Sequence, residues 1–325
     1  MQLLKKLIHK FDGLRYPQEY ICLTKESLQL PLHVYIVNGQ VVLKDITDQH
    51  IFTGYSPLIF TLHSSAANHL GWPAAIDVVF SAKALQLNEF LREKDALARV
   101  SLKMIHKQSL EDLYIAFYEG IHGEHRFISS FHQYMTGLYN RWYNKKPGNV
   151  FLNDNLYKQV QIAYSVPRII SLITVGNADL FNLFPTDLHG PLTGKYYVSS
   201  LRHEGKACKQ VESTQRIVIS EIHADAYKQV YGLGKNHMQG LKTKDHFPLS
   251  HEVSELFQLP IPQAALYYRE LELADSFEHG IHKLLLYKVV GSKQVNPEAA
   301  TLSHVHNVYA TWRHNKGLAG NYLLR

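Results

Sequence analysis

Residues 32–43 read LHVYIVNGQVVL, two β-branched runs around Asn38-Gly39, the dipeptide that most favours a two-residue hairpin turn. When the chain is slid along itself by 139 residues (177 − 38), Asn38 falls on Asn177 inside a second stretch, ITVGNADLFNLFPTD at 173–187. The same slide sets Thr47 on Thr186, Asp48 on Asp187, His50 on His189, Leu62 on Leu201, Val79 on Val218 and Ser81 on Ser220, with no gap between 33 and 81. Further on, Gly120-Ile121-His122 meets Gly280-Ile281-His282 at an offset of 160 (280 − 120). The growth from 139 to 160 predicts 21 additional residues (160 − 139) in the second copy, around 223–245. Self-similarity at a fixed period is the mark of a repeat, so the chain is expected to be a tandem duplication, with domains at 1–150 and 151–325.

Working outward from that hairpin, most of the chain reads as strands: PLIFTL (57–62), IDVVFS (76–81), ARVSLKMI (98–105) and LYIAFYEG (113–120), then PRIISLITV (167–175), KYYVSSL (195–201), QRIVISEI (215–222), AALYYRELELA (264–274) and HKLLLYKVV (282–290). A helix-like stretch runs from Phe127 to about Asn144, and the Pro-, Gly- and Asn-containing segment 144–155 reads as a linker. Strands joined by turns with few helices predict a mostly β protein of barrels or sandwiches rather than a βαβ fold.

Composition narrows the function classes. A hydrophobic fraction of 46% and a charged fraction of 19% over 325 residues exclude disordered and collagen-like architectures. The net charge of +6 is spread along the chain without a Lys/Arg-rich run, which suits an anionic small molecule at least as well as nucleic acid, and no nucleic-acid partner is expected. Cys22 and Cys208 lie far apart and outside any CxxC pattern, so free thiols and a reducing, cytoplasmic location are expected. The start, MQLLKKLIHKFDG, interrupts its apolar residues with Lys5, Lys6, His9 and Lys10, and no run reaches 18 apolar residues, so no membrane partner is expected. Leu3, Leu4, Leu7, Ile8 and Phe11 fall at helical spacing and read as a short amphipathic helix packed on its own domain.

The best candidate site follows the strand at 195–201. Gly205 reads as a turn and 206–212 as the start of a helix, which would aim unpaired N–H groups at that turn. Arg202, His203, Lys206 and Lys209 cluster around it. A helix N-terminus with fixed cations suits a phosphate, with Thr186, Ser199 or Ser200 as hydroxyl donors. Flavin mononucleotide and pyridoxal phosphate both carry such a group. The equivalent place in the first copy, His63-Ser64-Ser65-Ala66-Ala67, has no Arg or Lys, so the second copy is expected to hold the ligand.

Three successive segments, ITVGNADLFNLFPTD (173–187), YYVSSLRHEGKACKQVESTQRIVIS (196–220) and FEHGIHKLLLYKVV (277–290), resemble the flavin-reductase-like, FMN-binding split-barrel family over roughly residues 160–325. The match rests on order and spacing. The resemblance implies two tandem split-barrel-like domains forming a pseudo-dimer, the first degenerate, in a monomer or a homodimer. It implies FMN as cofactor and NAD(P)H as hydride donor, with flavin-reductase-type oxidoreductase activity. Arg202 and Lys206 would anchor the phosphate, Asn182, in a loop after a strand, and Thr186 would contact the ring, and His282 would be the catalytic residue orienting the nicotinamide. A flavin-binding or structural split-barrel protein without turnover is the alternative. His122/His125 and His279/His282 are spaced by three, as zinc ligands are, but lie at expected turns with no Cys or carboxylate block, so no metal site is expected. No GxGxxG, P-loop, GxSxG or HExxH pattern occurs, which weighs against nucleotide-fold, hydrolase and zincin functions.

Overall fold

The computed structural model describes residues 13–24, 28, 30–65, 71–111, 113–143, 150–177, 179–297, 299–318, 320 and 322–323. The amphipathic segment expected within residues 3–11, Ala66-Ala67 and the first half of the expected linker, 144–149, lie outside these. The chain divides into two compact units: residues 1–21, 27–167 and 305–320 form the first, and residues 22–26, 168–304 and 321–325 the second.

The first unit holds a seven-stranded sheet built from β1 (His33–Asn38), β2 (Val41–Asp45), β3 (His50–Tyr55), β4 (Leu58–Ser65), β5 (Ala75–Ser81), β6 (Ala96–Leu110) and β7 (Leu113–His125). Its strand order is β2-β1-β5-β6-β7-β4-β3, antiparallel throughout. The second unit repeats the series with β8 (Ser171–Asn177), β9 (Leu180–Thr186), β10 (His189–Pro191), β11 (Tyr196–Arg202), β12 (Arg216–Ile222), β13 (Ala265–His279) and β14 (His282–Gln294). The order is β9-β8-β12-β13-β14-β11-β10, with Lys242–Thr243 added beyond β9. The two sheets therefore have the same strand order. The hairpin expected at Asn38-Gly39 is present: Asn38 pairs with Val41, and Gly39 adopts φ +60°.

The offset of 139 holds in β1, β2 and β5: Val34 pairs with Phe80 and Ile173 with Ile219, both partners displaced by the same amount. It fails in the long hairpins. There β6 and β13 are both 15 residues, β7 and β14 both 13, and the offset is 169 (265 − 96). Breaks in regular pairing coincide at that offset, Ser101/Leu102 with Glu270/Leu271 and Met104/His106 with Leu273/Asp275. His282 therefore corresponds to Leu113, and the expected match to His122 is corrected. The additional residues number about 30 rather than 21, and they fall in 223–264, which joins β12 to β13 where 82–95 joins β5 to β6.

In the second unit Phe184 of β9, Tyr197 of β11 and Tyr287 of β14 belong to one core cluster, together with Ile173, Ile217 and Leu271. Strands near both ends of the order thus share a core, which requires the sheet to curl around it. A helix, Lys206–Thr214, covers that core with Ala207, Cys208 and Val211, positions spaced three and four apart on one helical face. Both cysteines are free and buried, and burial pushes the Cys208 thiol up to about 11. Among the described residues no helix is long and apolar enough to cross a membrane.

The additional segment is tied down at Glu270, on the β13 break. This side chain is 1% exposed and accepts from the Leu256 N–H at 2.9 Å and the Phe257 N–H at 2.7 Å. Removing the acceptor loses two charge-assisted bonds from the segment's backbone, worth about 1.5–3 kcal/mol each before the half-exposed N–H groups regain water. Glu270→Ala is expected to lower unfolding stability by about 2–5 kcal/mol, read as a drop in the urea midpoint; an unchanged midpoint would contradict this anchoring.

Candidate functional site

Alternation along β11 sorts the expected site residues. Tyr197 and Leu201 face the curled core, and Ser199 faces the same way, its hydroxyl 3.3 Å from that of Tyr287. Ser200 points to the opposite face, where its Oγ lies 3.0 Å from His282 Nδ1. Arg202 is the cross-strand partner of His282. Ser200, Arg202 and His282 are thus brought together, and Ser199 is not.

Beyond Arg202 the chain turns. Gly205 donates to the Arg202 carbonyl at 2.9 Å, stays extended (φ −69°, ψ 144°) and becomes the N-cap of helix 206–214 without any side-chain capping bond. The first-turn N–H groups have no acceptor within the helix and point out of its end. Arg202, Lys206 and Lys209 are exposed and His203 half-buried around this end. A Cβ at Gly205 would stand 3.1 Å from the Arg202 carbonyl and 3.5 Å from that of His237, so glycine suits this close approach. An uncapped helix start ringed by cations accommodates a dianionic phosphate.

His282 has no exposed surface, and its pKa is pushed down to about 3, chiefly by burial and then by the charges of Arg202, His203 and His279. The ring is neutral at ordinary pH. In this conformation it supports Ser200 and backs Arg202; a bound molecule would not reach it from solvent.

Asn182 lies inside β9, not in a loop after it, and is fully buried. Its Nδ2 donates to Gln210 Oε1 of helix 206–214 at 2.8 Å and to the Asn236 carbonyl at 3.0 Å, while Asn236 returns a bond from its own Nδ2 to the Leu183 carbonyl at 2.7 Å. The Oδ1 of Asn182 has no hydrogen-bond partner. Asn182 therefore ties strand, helix and additional segment together, with one acceptor left over. Thr186 accepts the Leu188 N–H at 3.4 Å and lines a cavity of about 160 Å³. His237, also from the additional segment, lies 2.8 Å by Nε2 from the Pro185 carbonyl, and its ring sits 4.9 Å from that of Phe184. Burial pulls its pKa down, and among the smaller influences Arg202 lowers it further. Sequence reasoning missed Gln210, Asn236 and His237. The signal available was the growth in offset, which marked the segment but not what it touches. In the first unit His63 is held down to about 4 by burial and the nearby Lys44 charge. Among the described residues no group of three or more His, Cys, Asp or Glu side chains is placed to hold a metal ion.

No protein-family model and no curated protein sequence matches the chain. Solved structures to which it is similar include flavin reductases and FMN-binding proteins. An NADH:FAD oxidoreductase of Streptomyces globisporus is 12% identical, over 47% of this chain and 89% of that one, with a TM-score of 0.40. The flavin reductase component of a bacterial two-component tryptophan halogenase is 12% identical over 46% and 91%, TM-score 0.40. An FMN-binding protein from Thermus thermophilus is 16% identical over 43% and 86%, TM-score 0.37.

The depressed His282 pKa has a definite sign. Between its ordinary value of 6.5 and about 3 the unfolded chain holds the proton and the folded one does not, so stability falls as pH is lowered through that window. One such group contributes up to about 1.4 kcal/mol per pH unit. His282→Asn is expected to flatten the pH dependence of urea unfolding between pH 6 and 4 relative to the unsubstituted protein; equal slopes would show that His282 is not the group responsible.

Proposed function

We propose that the second unit binds flavin mononucleotide and acts as an NAD(P)H-dependent oxidoreductase of flavin-reductase type. The observation that carries this reading is the uncapped start of helix 206–214 at Gly205, between Arg202 and Lys206. A bound flavin would supply the hydride-accepting chemistry, and the chain would supply binding, orientation and electrostatics. Arg202 and Lys206 would hold the phosphate together with the first-turn N–H groups. Thr186 would offer its hydroxyl, and Asn182, enclosed as His282 is, would act by holding strand, helix and additional segment together beside the ligand. His282 would act as a positioning residue that fixes Ser200 and the strand bearing Arg202, with the nicotinamide entering on the exposed side. Ser199 stays with the core.

Within the same proposal the two units are fused copies of one split-barrel ancestor, the first having lost the cations of the site. The shared strand order and the coincident breaks at an offset of 169 support this history. Two buried free thiols suit a reducing compartment such as the cytoplasm. One observation favours a second reading, a flavin-binding protein without turnover: His282 is enclosed, and the Asn182 amide is already engaged by Asn236 and Gln210.

Charge-assisted bonds to an anion are worth about 1.5–3 kcal/mol each, and each 1.4 kcal/mol is about tenfold in affinity. Arg202→Ala/Lys206→Ala is expected to weaken FMN binding by about two orders of magnitude, while His63→Ala leaves it unchanged. Flavin fluorescence titration reads this, with circular dichroism as the control for folding. Equal affinity in all three proteins removes the assigned site. Flavin binding without NAD(P)H oxidation favours the second reading.

A further inference from the structure

Three titratable side chains distant in sequence form one hydrogen-bonded chain in the second unit. His304 Nε2 lies 2.7 Å from Asp187 Oδ2, and His304 Nδ1 lies 2.9 Å from the Tyr231 hydroxyl. When Nε2–H donates to the carboxylate, Nδ1 is the acceptor and the Tyr231 hydroxyl donates to it. A proton received at Nδ1 would then produce an imidazolium held against a carboxylate. Asp187 also acts on His189 and His237, raising the pKa of each against burial.

This chain borders the cavity of about 160 Å³, whose wall also includes Ile170, Pro185 and Val230. An engineered apolar cavity of about 150 Å³ holds benzene. The wall is thus apolar where a ring would rest and carries hydroxyls, an imidazole and a carboxylate at one side. A negative ligand would meet Asp187, so the occupant should enter uncharged.

We propose that this cavity binds a small neutral hydroxyl compound of phenol size and takes up its proton through Tyr231, His304 and Asp187. In the step, the ligand O–H bond breaks and its proton passes to Tyr231 Oη, while the Tyr231 proton passes to His304 Nδ1. The ligand becomes an oxyanion, and the positive charge rests on the imidazolium beside Asp187. A phenolic oxygen has two lone pairs, so Tyr231 accepts from the ligand while donating to His304. The cavity shares Thr186 with the flavin site proposed above, but the proton step runs through Tyr231, His304 and Asp187 and needs no flavin.

The test titrates the full chain into 4-nitrophenol at a pH below the probe's own midpoint, where it is mostly neutral in water. Saturable growth of the nitrophenolate absorbance is expected, with an ionisation constant for the bound probe at least tenfold above that of the free one. Asp187→Asn keeps an acceptor for Nε2–H and removes the charge, and His304→Gln removes the base; each is expected to lose the tenfold gain. Val230→Phe, which fills the cavity, is expected to abolish the signal. Absence of saturable binding, a bound probe that stays neutral, the same gain in a folded Asp187→Asn or His304→Gln protein, or a signal that survives Val230→Phe would each overturn the proposal.

Discussion

The curl of the second unit's sheet depends on two breaks in its long hairpin, at 270/271 and 273/275, and the first unit has breaks at the corresponding places, 101/102 and 104/106. A β-bulge places an extra residue on one strand, which bends the ladder and increases its twist. Hairpins of this length, left regular, would run straight past the core. Bent, they bring β9 and β11, far apart in the strand order of the second unit, to one cluster that includes Phe184 and Tyr197. The helix start that carries the candidate site is positioned by this curl, because Ala207, Cys208 and Val211 are buried in the same cluster. The inward pull of three apolar side chains thus holds the outward-facing cations of that helix in place.

Much of the architecture could be read in advance, because its signals are local. Asn38-Gly39 announces a turn, β-branched runs announce strands, and Gly205 followed by an amphipathic stretch announces the helix at 206. The strand at 180–186 was hidden, since Asn182 and Pro185 are both weak strand formers, and Asn182 is tolerated there because its amide is bonded to Gln210 and Asn236. The match of His122 to His282 misled for a related reason. In the second unit the long hairpin turns at Gly280, with φ +58°, but the corresponding residue of the first unit is Glu111, which adopts φ +43° without being glycine. With no glycine to mark that turn, the Gly-Ile-His at 120–122 drew the alignment to the middle of a strand.

At the candidate site, the residues chosen from sequence were those with conspicuous chemistry: cations, hydroxyls and histidine. Arg202, Ser200 and His282 do converge, because alternation along one strand and pairing with its neighbour are period-two rules that sequence spacing obeys. What could not be seen was enclosure. What occupies the Asn182 amide is decided in part by backbone carbonyls of Asn236 and Gln239, more than 50 residues away in sequence, and no local pattern encodes that contact.

The break at 270/271 also constrains which residues can stand at it. Glu270 stands across from Gly291, where a Cβ would approach its Oε2 to 2.7 Å. At the same place in the first unit Ser101 stands across from His122. Each unit pairs one small residue with one large one, in opposite order. In the second unit the long side chain, Glu270, is enclosed and Gly291 leaves it room, whereas in the first unit His122 is exposed. Positions 270 and 291 therefore form a covarying pair: enlarging one is permitted after the other has been reduced, and among related sequences the two should exchange size together rather than change singly.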